Sequence, residues 1–311
     1  MARRVLVSGA AGLLGSACVG RLLARGDEVI ALVRDRDPRS RLYRDGLVDR
    51  CIEARSELAS AQRLIDEYTP THVLHLAAQT QVTTANRAAS STFESNVRGT
   101  WLLLEAAAEV EGIVVASSDK AYGAAPTPTR ESQPLAPTAP YDVSKACTDL
   151  IARSYGSHFG RPVVVTRCGN LYGPGDLNMD RLVPGISCQL ARGEAPLLRS
   201  TGTMTRDWTH VDDAAEATLM LLDRAAELRG EAFNVAGGEV ASVLDIVERL
   251  RALADDAPVP DIASSDPMGE IPHQALDTSR IEALGWRARI DLEAGLAGTY
   301  DWYRNLVADL D

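Results

Sequence analysis

Three closely spaced glycines, Gly9, Gly12 and Gly15, constrain the fold of this chain more than any other feature. They follow a short run rich in valine and leucine at residues 4–8, and an apolar pattern at helical spacing begins at Leu14. This order predicts a strand, a tight turn and then a helix. Where side chains are absent, the backbone N–H groups at the start of a helix can approach a pyrophosphate.

The surroundings of these glycines favour a dinucleotide site. Gly15 is followed by Ser16 instead of the Lys that a P-loop requires, so a P-loop is excluded. Asp35 stands twenty residues beyond Gly15, where an acidic side chain binds the ribose hydroxyls of NAD. Its neighbour Arg34 could instead meet the 2′-phosphate of NADP. We therefore predict NAD as the cofactor, with NADP as the alternative.

Apolar runs of strand length recur along the first half of the chain and alternate with segments of helical periodicity. Such runs lie near 28–33, 73–77, 113–116 and 163–166, and the clearest helical segments are 97–109 and 141–158. Strands that alternate with helices predict a parallel sheet covered on both faces. The sequence thus predicts an α/β fold with a Rossmann-type doubly wound parallel sheet.

The pattern changes after about residue 175. Helical segments joined by Pro-rich and Gly-rich links are predicted at 181–192, 211–224, 242–253 and 292–307. We therefore expect a Rossmann domain over 1–175 and a smaller mixed α/β substrate lobe over 176–311, from which strands or helices can return to the first domain.

Two helix starts in this second half carry the spacing of a capping box. They are Ser242 with Asp245 and Ser279 with Glu282.

The composition limits the class of protein. A net charge of −11 argues against a broad nucleic-acid surface. The five cysteines are odd in number and widely spaced, which fits a reducing cytoplasm better than a disulfide framework. The amino-terminal apolar run is broken by Ser8 and Gly9, and no stretch approaches the ~20 apolar residues that cross a bilayer. We expect neither a nucleic acid nor a membrane as partner.

A metal site is not expected either. His72 and His75 invite such an interpretation, but their odd separation on a strand places them on opposite faces. We predict structural roles for both.

Tyr141 and Lys145 form the first candidate catalytic pair. They are four residues apart, so a helix places them on one face. A phenol with a pKa near 10 is a poor base at neutral pH, but a neighbouring cation favours its ionised form. The pair could then take a proton from an alcohol as hydride leaves the same carbon. The alternative is a partly buried tyrosine beside a surface lysine.

A second cluster, Ser118-Asp119-Lys120, directly follows the strand that ends at Ser117. Ligands bind at the carboxyl ends of parallel strands. An acid beside a base exceeds what hydride transfer needs and suits the removal of water from adjacent carbons. The alternative is a polar turn in which Asp119 caps a helix.

The glycine loop, the set Ser118, Tyr141 and Lys145, and the stretch Arg167-Cys-Gly-Asn-Leu-Tyr-Gly-Pro-Gly175 resemble those of an extended short-chain dehydrogenase/reductase. The similarity covers nearly the whole chain and points to the nucleotide-sugar epimerase and dehydratase group.

Within that group, four features most resemble the short bacterial form of CDP-glucose 4,6-dehydratase. They are Ser-Asp-Lys at 118–120, Ala-Ala-Gln79 with Asn86, Ser-Asn-Val-Arg-Gly-Thr at 95–100, and Gly-Asp-Leu-Asn-Met-Asp-Arg-Leu-Val-Pro at 175–184. Epimerases of the group usually lack the Asp-Lys pair.

This resemblance implies a mechanism. Tyr141, aided by Lys145 and Ser118, would take the proton of the sugar 4-hydroxyl as hydride passes to NAD. Lys120 would then take the C5 proton while Asp119 protonates the departing 6-hydroxyl. The hydride would return to C6, and the product would be a 4-keto-6-deoxy sugar.

The resemblance also implies binding residues. Ala77 and Asn96 join Gly9, Gly12, Leu14, Gly15, Arg34, Asp35, Tyr141 and Lys145 as cofactor contacts, and Gln79, Asn170, Arg181 and Arg206 are substrate contacts. Guanidinium groups suit diphosphate oxygens. In one departure from the group, Cys51-Ile-Glu-Ala-Arg-Ser stands where many relatives place an aspartate that touches adenine. The group also commonly forms homodimers through helices such as 97–109 and 141–158.

Two other functions compete with CDP-glucose dehydration. A 4-epimerase, or a dehydratase of another nucleotide sugar, would use Tyr141 in a similar way. A non-catalytic dinucleotide sensor would keep the fold without the chemistry. The complete set of Ser118, Tyr141 and Lys145 argues against a sensor.

Overall fold

The computed structural model describes residues 3–55, 58–266 and 271–310. Its strands, in chain order, are β1 (Arg4–Ser8), β2 (Glu28–Val33), β3 (Ile52–Arg55), β4 (His72–His75), β5 (Gly112–Ala116), β6 (Val163–Cys168), β7 (Asn170–Tyr172), β8 (Leu197–Leu198), β9 (Thr205–His210), β10 (Ala232–Val235), β11 (Glu239–Ser242) and β12 (Asp261–Ile262).

The α-helices, in chain order, are α1 (Leu13–Arg25), α2 (Arg41–Arg44), α3 (Ala61–Tyr68), α4 (Val82–Arg87), α5 (Ala89–Phe93), α6 (Gly99–Ala106), α7 (Pro140–Phe159), α8 (Leu182–Ala191), α9 (Val211–Asp223), α10 (Val243–Arg251), α11 (Ser279–Ala283) and α12 (Leu292–Ala308). A π-helical turn, Glu94–Arg98, leads into α6, and a short 3-10 helix, Asp119–Tyr122, follows β5.

The largest sheet has the spatial order β10-β6-β5-β4-β1-β2-β3, and each pair of neighbouring strands in it is parallel. Its strands are mostly buried on both faces, as continuous apolar runs such as Glu-Val-Ile-Ala-Leu-Val in β2 predict. The predicted α/β fold with a doubly wound parallel sheet is confirmed.

Alternate residues of the central strands face two separate apolar layers. In β1, Val5 and Val7 belong to the layer that contains α1 and α9, whereas Leu6 belongs to the layer that contains α3, α6 and α7. This alternation follows from the two-residue repeat of a strand. Both faces of the sheet are therefore covered, and the carboxyl ends of its strands form one edge.

The chain beyond residue 175 contributes to two regions. β10 pairs with β6 in the large sheet, and α9 packs on α1. The strands β11, β9 and β7 form a three-stranded sheet, and a further apolar cluster joins it to α8, α10 and α12. The division into domains at residue 175 stays a prediction, and it allowed for such returns.

The sequence located most helices to within two residues at each end, for example 141–158 against Pro140–Phe159. Pro140 stands in the first turn of α7, and Gly160 ends that helix with φ of 68°. The capping box of Ser242 and Asp245 is present.

Two predictions about helices were wrong. Ser279 is the first residue of α11 instead of its cap, and the residue before the helix is Thr278, whose hydroxyl bonds to Glu282 at 2.6 Å. The helix predicted over 97–109 begins as the π-helical turn and ends at Ala106. Among the described residues, no helix is both long and apolar enough to cross a membrane.

Candidate active site

A cavity of about 1720 Å³ opens at the carboxyl edge of the parallel sheet and extends to β8. It is a single space that brings most of the predicted residues together. Those that line it are Gly9, Gly12, Leu14, Gly15, Arg34, Asp35, Ala77, Gln79, Ser118, Asp119, Lys120, Tyr141, Lys145, Asn170, Arg181 and Arg206.

The glycine loop is packed too tightly for side chains at two of its positions. A Cβ at Gly15 would lie 2.0 Å from the carbonyl oxygen of Gly9, and one at Gly9, whose φ is 73°, would lie 2.8 Å from the nitrogen of Ala77. At Gly12, which precedes α1, the structure shows no capping side chain, and the first turn carries no acidic residue. The open N–H groups at this helix start suit a pyrophosphate, so the loop fits a dinucleotide.

Arg34 and Asp35 lie just past the end of β2, at the same side of the cavity. Their side chains are about four-fifths and three-quarters exposed and bond to each other at 2.8 Å. Asp35 lines the same cavity as the glycine loop. Both groups are available to a cofactor at little desolvation cost.

Asn96 differs from the other predicted contacts, because it does not line the cavity. Its side chain is buried in the π-helical turn, where its Oδ1 accepts from the backbone N–H of Gln79 at 2.7 Å. Its Nδ2 donates to the carbonyl oxygen of Gln79 at 3.0 Å and to Ser144 Oγ at 2.9 Å. The geometry supports an indirect role for Asn96 in place of the predicted direct contact with the cofactor.

Tyr141 and Lys145 lie on the first turns of α7 and are both buried. Burial raises the pKa of Tyr141, and the positive charge of Arg181 partly offsets that effect. Burial also lowers the pKa of Lys145 to about 8, and its Nζ donates to the carbonyl oxygen of Ala116 at 2.8 Å. The sequence predicted Lys145 as the cation that acts on the phenol, whereas Arg181 is the strongest cationic neighbour of Tyr141 in the structure.

Ser118, Asp119 and Lys120 form the start of the short 3-10 helix at the end of β5. The Ser118 hydroxyl donates to Asp119 Oδ1 at 2.9 Å and accepts from the backbone N–H of Lys120 at 3.3 Å. Asp119 is buried and Lys120 is half-buried, yet both face the cavity. Ser118 is thus the cap of this turn, a role that the sequence considered for Asp119.

The predicted substrate residues lie further along the cavity. Arg181 precedes α8, and its guanidinium bonds to Asp176 at 2.5 Å and to the carbonyl oxygen of Leu171. Arg206, on β9, is buried, and its Nη1 donates to the carbonyl oxygens of Thr205 at 2.9 Å and Pro272 at 3.3 Å. Two guanidinium groups held by such bonds are suited to bind phosphate oxygens without losing much side-chain entropy.

No sequence pattern predicted a role for Gln189 or Arg199. Gln189 of α8 accepts from the backbone N–H of Leu197 at 3.1 Å, and Arg199 pairs with Asp180 at 3.0 Å. These residues line the cavity beside Met179. Gln189 and Arg199 belong to no motif, and only the folded chain brings α8 and β8 together.

The histidines have the structural roles that the sequence predicted for them. Both ring nitrogens of His75 are engaged, by Ser8 at 2.9 Å and Thr100 at 3.0 Å, and His72 bonds to Thr71 at 3.0 Å. Within residues 3–55, 58–266 and 271–310, no group of three His, Cys, Asp or Glu side chains could hold a metal ion.

Comparison with known proteins identifies a family and two similar sequences. A model of the NAD dependent epimerase/dehydratase family matches residues 5–236. A dTDP-glucose 4,6-dehydratase of an Actinoplanes species is 33% identical, over 97% of this chain and 98% of that protein. The dTDP-glucose 4,6-dehydratase 1 of Escherichia coli K12 is 28% identical, over 96% of this chain and 92% of its own length.

Solved structures of two activities resemble this one. The dTDP-glucose 4,6-dehydratase DesIV of Streptomyces venezuelae, solved with NAD bound, has a TM-score of 0.86 and 32% identity, and the match covers 97% of each chain. The UDP-glucose 4-epimerase of Thermotoga maritima, solved with UDP-glucose, has a TM-score of 0.89 and 25% identity, over 99% of this chain and 100% of the other. The similarity therefore spans dehydration and epimerisation.

Proposed function

Because this chain belongs to the NAD dependent epimerase/dehydratase family, we propose that it is an NAD-dependent nucleotide-sugar 4,6-dehydratase with CDP-glucose as its preferred substrate. One observation carries the proposal: Asp119 and Lys120 line the same cavity as Tyr141 and Lys145. A carboxyl and an amine beside a redox pair provide the acid and the base that removal of water needs. Family membership confirms the group that the sequence motifs predicted.

The first step is oxidation of the sugar at C4. NAD, when bound against the glycine loop, supplies an acceptor and later a donor of hydride. The Tyr141 oxygen takes the proton of the 4-hydroxyl, which requires the phenol to be ionised. Burial opposes ionisation, and the positive charge of Arg181 favours it. Lys145 lies on the same helix face as Tyr141 and would contact the bound cofactor.

The second step removes water across C5 and C6. The new 4-ketone acidifies the C5 proton, and a neutral Lys120 amine takes that proton. Asp119 gives its proton to the 6-hydroxyl, so the C6–O bond breaks and water leaves. C5 recovers a proton from Lys120 as C6 is reduced. One proton then passes through solvent from Tyr141 to Asp119, so the net change is the loss of one water.

Two observations bear on the nucleotide of the substrate, and they favour different nucleotides. The Ser-Asp-Lys motif at 118–120 resembles CDP-glucose dehydratases, whereas the dehydratases of Actinoplanes and Escherichia coli that are similar to this chain act on dTDP-glucose. CDP-glucose is therefore the first candidate and dTDP-glucose the second. Gln189 and Arg199 line the same cavity as Tyr141, and we propose that they lie beside the base of the nucleotide.

Mass spectrometry of the product distinguishes the candidate reactions. We incubate the purified protein and NAD with CDP-, dTDP-, UDP- and GDP-glucose, in water and in D₂O. Dehydration lowers the mass by about 18 Da, and in D₂O the product gains about 1 Da because C5 is reprotonated from a base in exchange with solvent. Loss of water from dTDP-glucose alone would contradict the choice of CDP, and an unchanged mass with every sugar would refute dehydration.

A 4-epimerase is the second candidate function, and its support is the similarity to the Thermotoga maritima epimerase. Tyr141 would act in the same way, but Asp119 and Lys120 would have no chemical step. Chromatography separates the two sugar epimers, which have equal mass, so the same incubations test this function. A non-catalytic dinucleotide sensor would bind NAD and convert none of the four sugars.

We also propose that the protein is a cytoplasmic homodimer. All five cysteines are free, which suits a reducing compartment. The helices α6 and α7 lie side by side and expose Trp101 and Leu150, which suits a contact with a second copy. NAD is favoured over NADP because Asp35 would repel a 2′-phosphate, although Arg34 partly offsets that charge.

A further inference from the structure

A chain of buried hydrogen bonds runs from the end of β1, next to the glycine loop, to the helix of Tyr141, through side chains and the backbone carbonyl of Asn96. Its members are Ser8, His75, Thr100, Asn96 and Ser144, which we call the buried ladder. Each is at most 2% exposed. They belong to β1, β4, α6, the π-helical turn and α7, so the ladder connects the strand before the glycine loop with the helix that carries Tyr141.

We propose that the buried ladder holds Tyr141 at a fixed position relative to the glycine loop. His75 and Thr100 are then positioning residues for the proposed reaction. The assignment rests on the proposed function. Neither residue lines the cavity, so each acts through the groups it holds.

The direction of each hydrogen bond follows from one fixed point. Thr100 Oγ1 lies 2.6 Å from the carbonyl oxygen of Asn96, and a carbonyl can only accept, so the hydroxyl of Thr100 donates there. Thr100 must then accept from His75 Nε2, 3.0 Å away. His75 Nε2 therefore carries a proton.

The other ring nitrogen of His75 faces Ser8. Burial, together with the positive charge of Lys145, lowers the pKa of His75 to about 3, so the ring is neutral and its Nδ1 is bare. The Ser8 hydroxyl donates to this Nδ1 at 2.9 Å and accepts from the backbone N–H of Ala77 at 3.2 Å. Ala77 lines the cavity and lies against Gly9. This end of the ladder therefore holds the backbone beside the glycine loop, where the cofactor is proposed to bind.

The same reasoning fixes the end near the tyrosine. Ser144 Oγ lies 2.6 Å from the carbonyl oxygen of Tyr141 and must donate to it, so Ser144 accepts from Asn96 Nδ2. The amide of Asn96 also holds both backbone groups of Gln79. Loss of the Thr100 hydroxyl would leave the buried Nε2 of His75 without an acceptor, whereas the carbonyl oxygen of Asn96 would keep the hydroxyl of Thr148 at 3.2 Å.

The decisive variant is Thr100→Val, which keeps the shape of the side chain and removes both of its hydrogen bonds. Thr100→Ser restores the hydroxyl and is the rescue variant. Thr92→Val is the matched control, because Thr92 is equally buried and its hydroxyl has no hydrogen-bond partner among the described residues. Thermal unfolding of all three shows whether they remain folded.

Two measurements separate positioning from a general structural role. We expect Thr100→Val to lower kcat about 10-fold with little change in KM, because the tyrosine is displaced from the reacting atom. We also expect faster hydrogen exchange over residues 140–147. Thr100→Ser should recover both values, and Thr92→Val should change neither. Equal effects in Thr100→Val and Thr92→Val, or no effect in Thr100→Val, would overturn the proposal.

A third measurement needs no activity. The chain has five histidines, so long-range ¹H–¹⁵N spectra can resolve their rings, with His75→Asn to identify the signal of residue 75. We expect a bare Nδ1 and a protonated Nε2. A protonated Nδ1 would refute the ladder's direction. If the unaltered protein converts no sugar, the proposed function fails, whereas hydrogen exchange and the spectrum still decide the ladder.

Discussion

Tyr141 is the residue whose surroundings bear most directly on the chemistry. It is buried at the start of α7, and burial opposes the ionised phenol that proton removal needs. The guanidinium of Arg181 bonds to Asp176 and to a backbone carbonyl. Its positive charge partly offsets the effect of burial on the pKa of Tyr141. The pKa of this tyrosine therefore depends on Arg181, which is distant in the chain, as well as on burial in its own surroundings.

Replacement of Tyr141 by Phe tests its role directly. The variant keeps the ring and loses the proton acceptor, so kcat should fall by about 100- to 10,000-fold. Affinity for the sugar nucleotide, measured by calorimetry, should change little. Tyr68→Phe, at the end of α3, is the control and should have normal turnover. Retained turnover in Tyr141→Phe would show that another group accepts the proton.

The residue scale is also where sequence reasoning reached its limits. The spacing of Tyr141 and Lys145 correctly placed both on one helix. It could not show that Lys145 Nζ bonds to the carbonyl oxygen of Ala116, or that the positive charge of Arg181 acts on Tyr141. Those facts depend on contacts between elements distant in the chain. The motif predicted a direct contact between Asn96 and the cofactor, and the burial of the Asn96 side chain does not favour that contact.

At the scale of elements, the glycine loop and α1 were predictable because strand, turn and helix signals all agree over residues 4–25. The capping box at Ser242 was found for the same reason, since cap and helix period coincide. Ser279 and Glu282 have the same spacing, but Ser279 is the first residue of a helix of only five residues, and Thr278 is the residue that precedes it. The π-helical turn at Glu94–Arg98 has no sequence signature that distinguishes it from an ordinary helix.

The close packing of the glycine loop gives a second prediction. A Cβ at Gly15 would lie 2.0 Å from a backbone oxygen, so Gly15→Ala must shift the loop. We expect a loss of about 1–3 kcal/mol in the free energy of unfolding, and weaker binding of NAD in a fluorescence titration.

Gly298 supplies the control for that variant. It lies inside α12, and a Cβ there would meet nothing within 4 Å. Gly298→Ala should therefore stabilise the protein by about 0.5–1 kcal/mol, because alanine favours a helix more than glycine does. NAD binding should not change. If Gly15→Ala bound NAD as well as Gly298→Ala does, the loop would not be the pyrophosphate site.

At the scale of the molecule, the cavity exists because the chain crosses between two regions more than once. β10 and α9 return to the parallel sheet and its covering layer, while β9, just before α9, carries Arg206 into the cavity. The sequence patterns predicted α9 but neither β9 nor β10. They could not show the spatial order either, because strand pairing between residues 163–168 and 232–235 is set by tertiary packing. The far wall of the cavity, with Gln189 and Arg199, follows from that packing.

The exposed apolar side chains of α6 and α7 lead to the last prediction, on assembly. Leu150 is 56% exposed and Trp101 is 40% exposed on adjacent helices, which leaves apolar surface that a second copy would cover. We expect a dimer in analytical ultracentrifugation and a monomer for Leu150→Glu, because a buried unpaired carboxylate opposes association. Val259→Glu is the control, since Val259 is 78% exposed and lies outside these helices, and this variant should remain dimeric. A Leu150→Glu protein that stays dimeric would move the interface elsewhere, and an unaltered protein that sediments as a monomer would refute the homodimer itself.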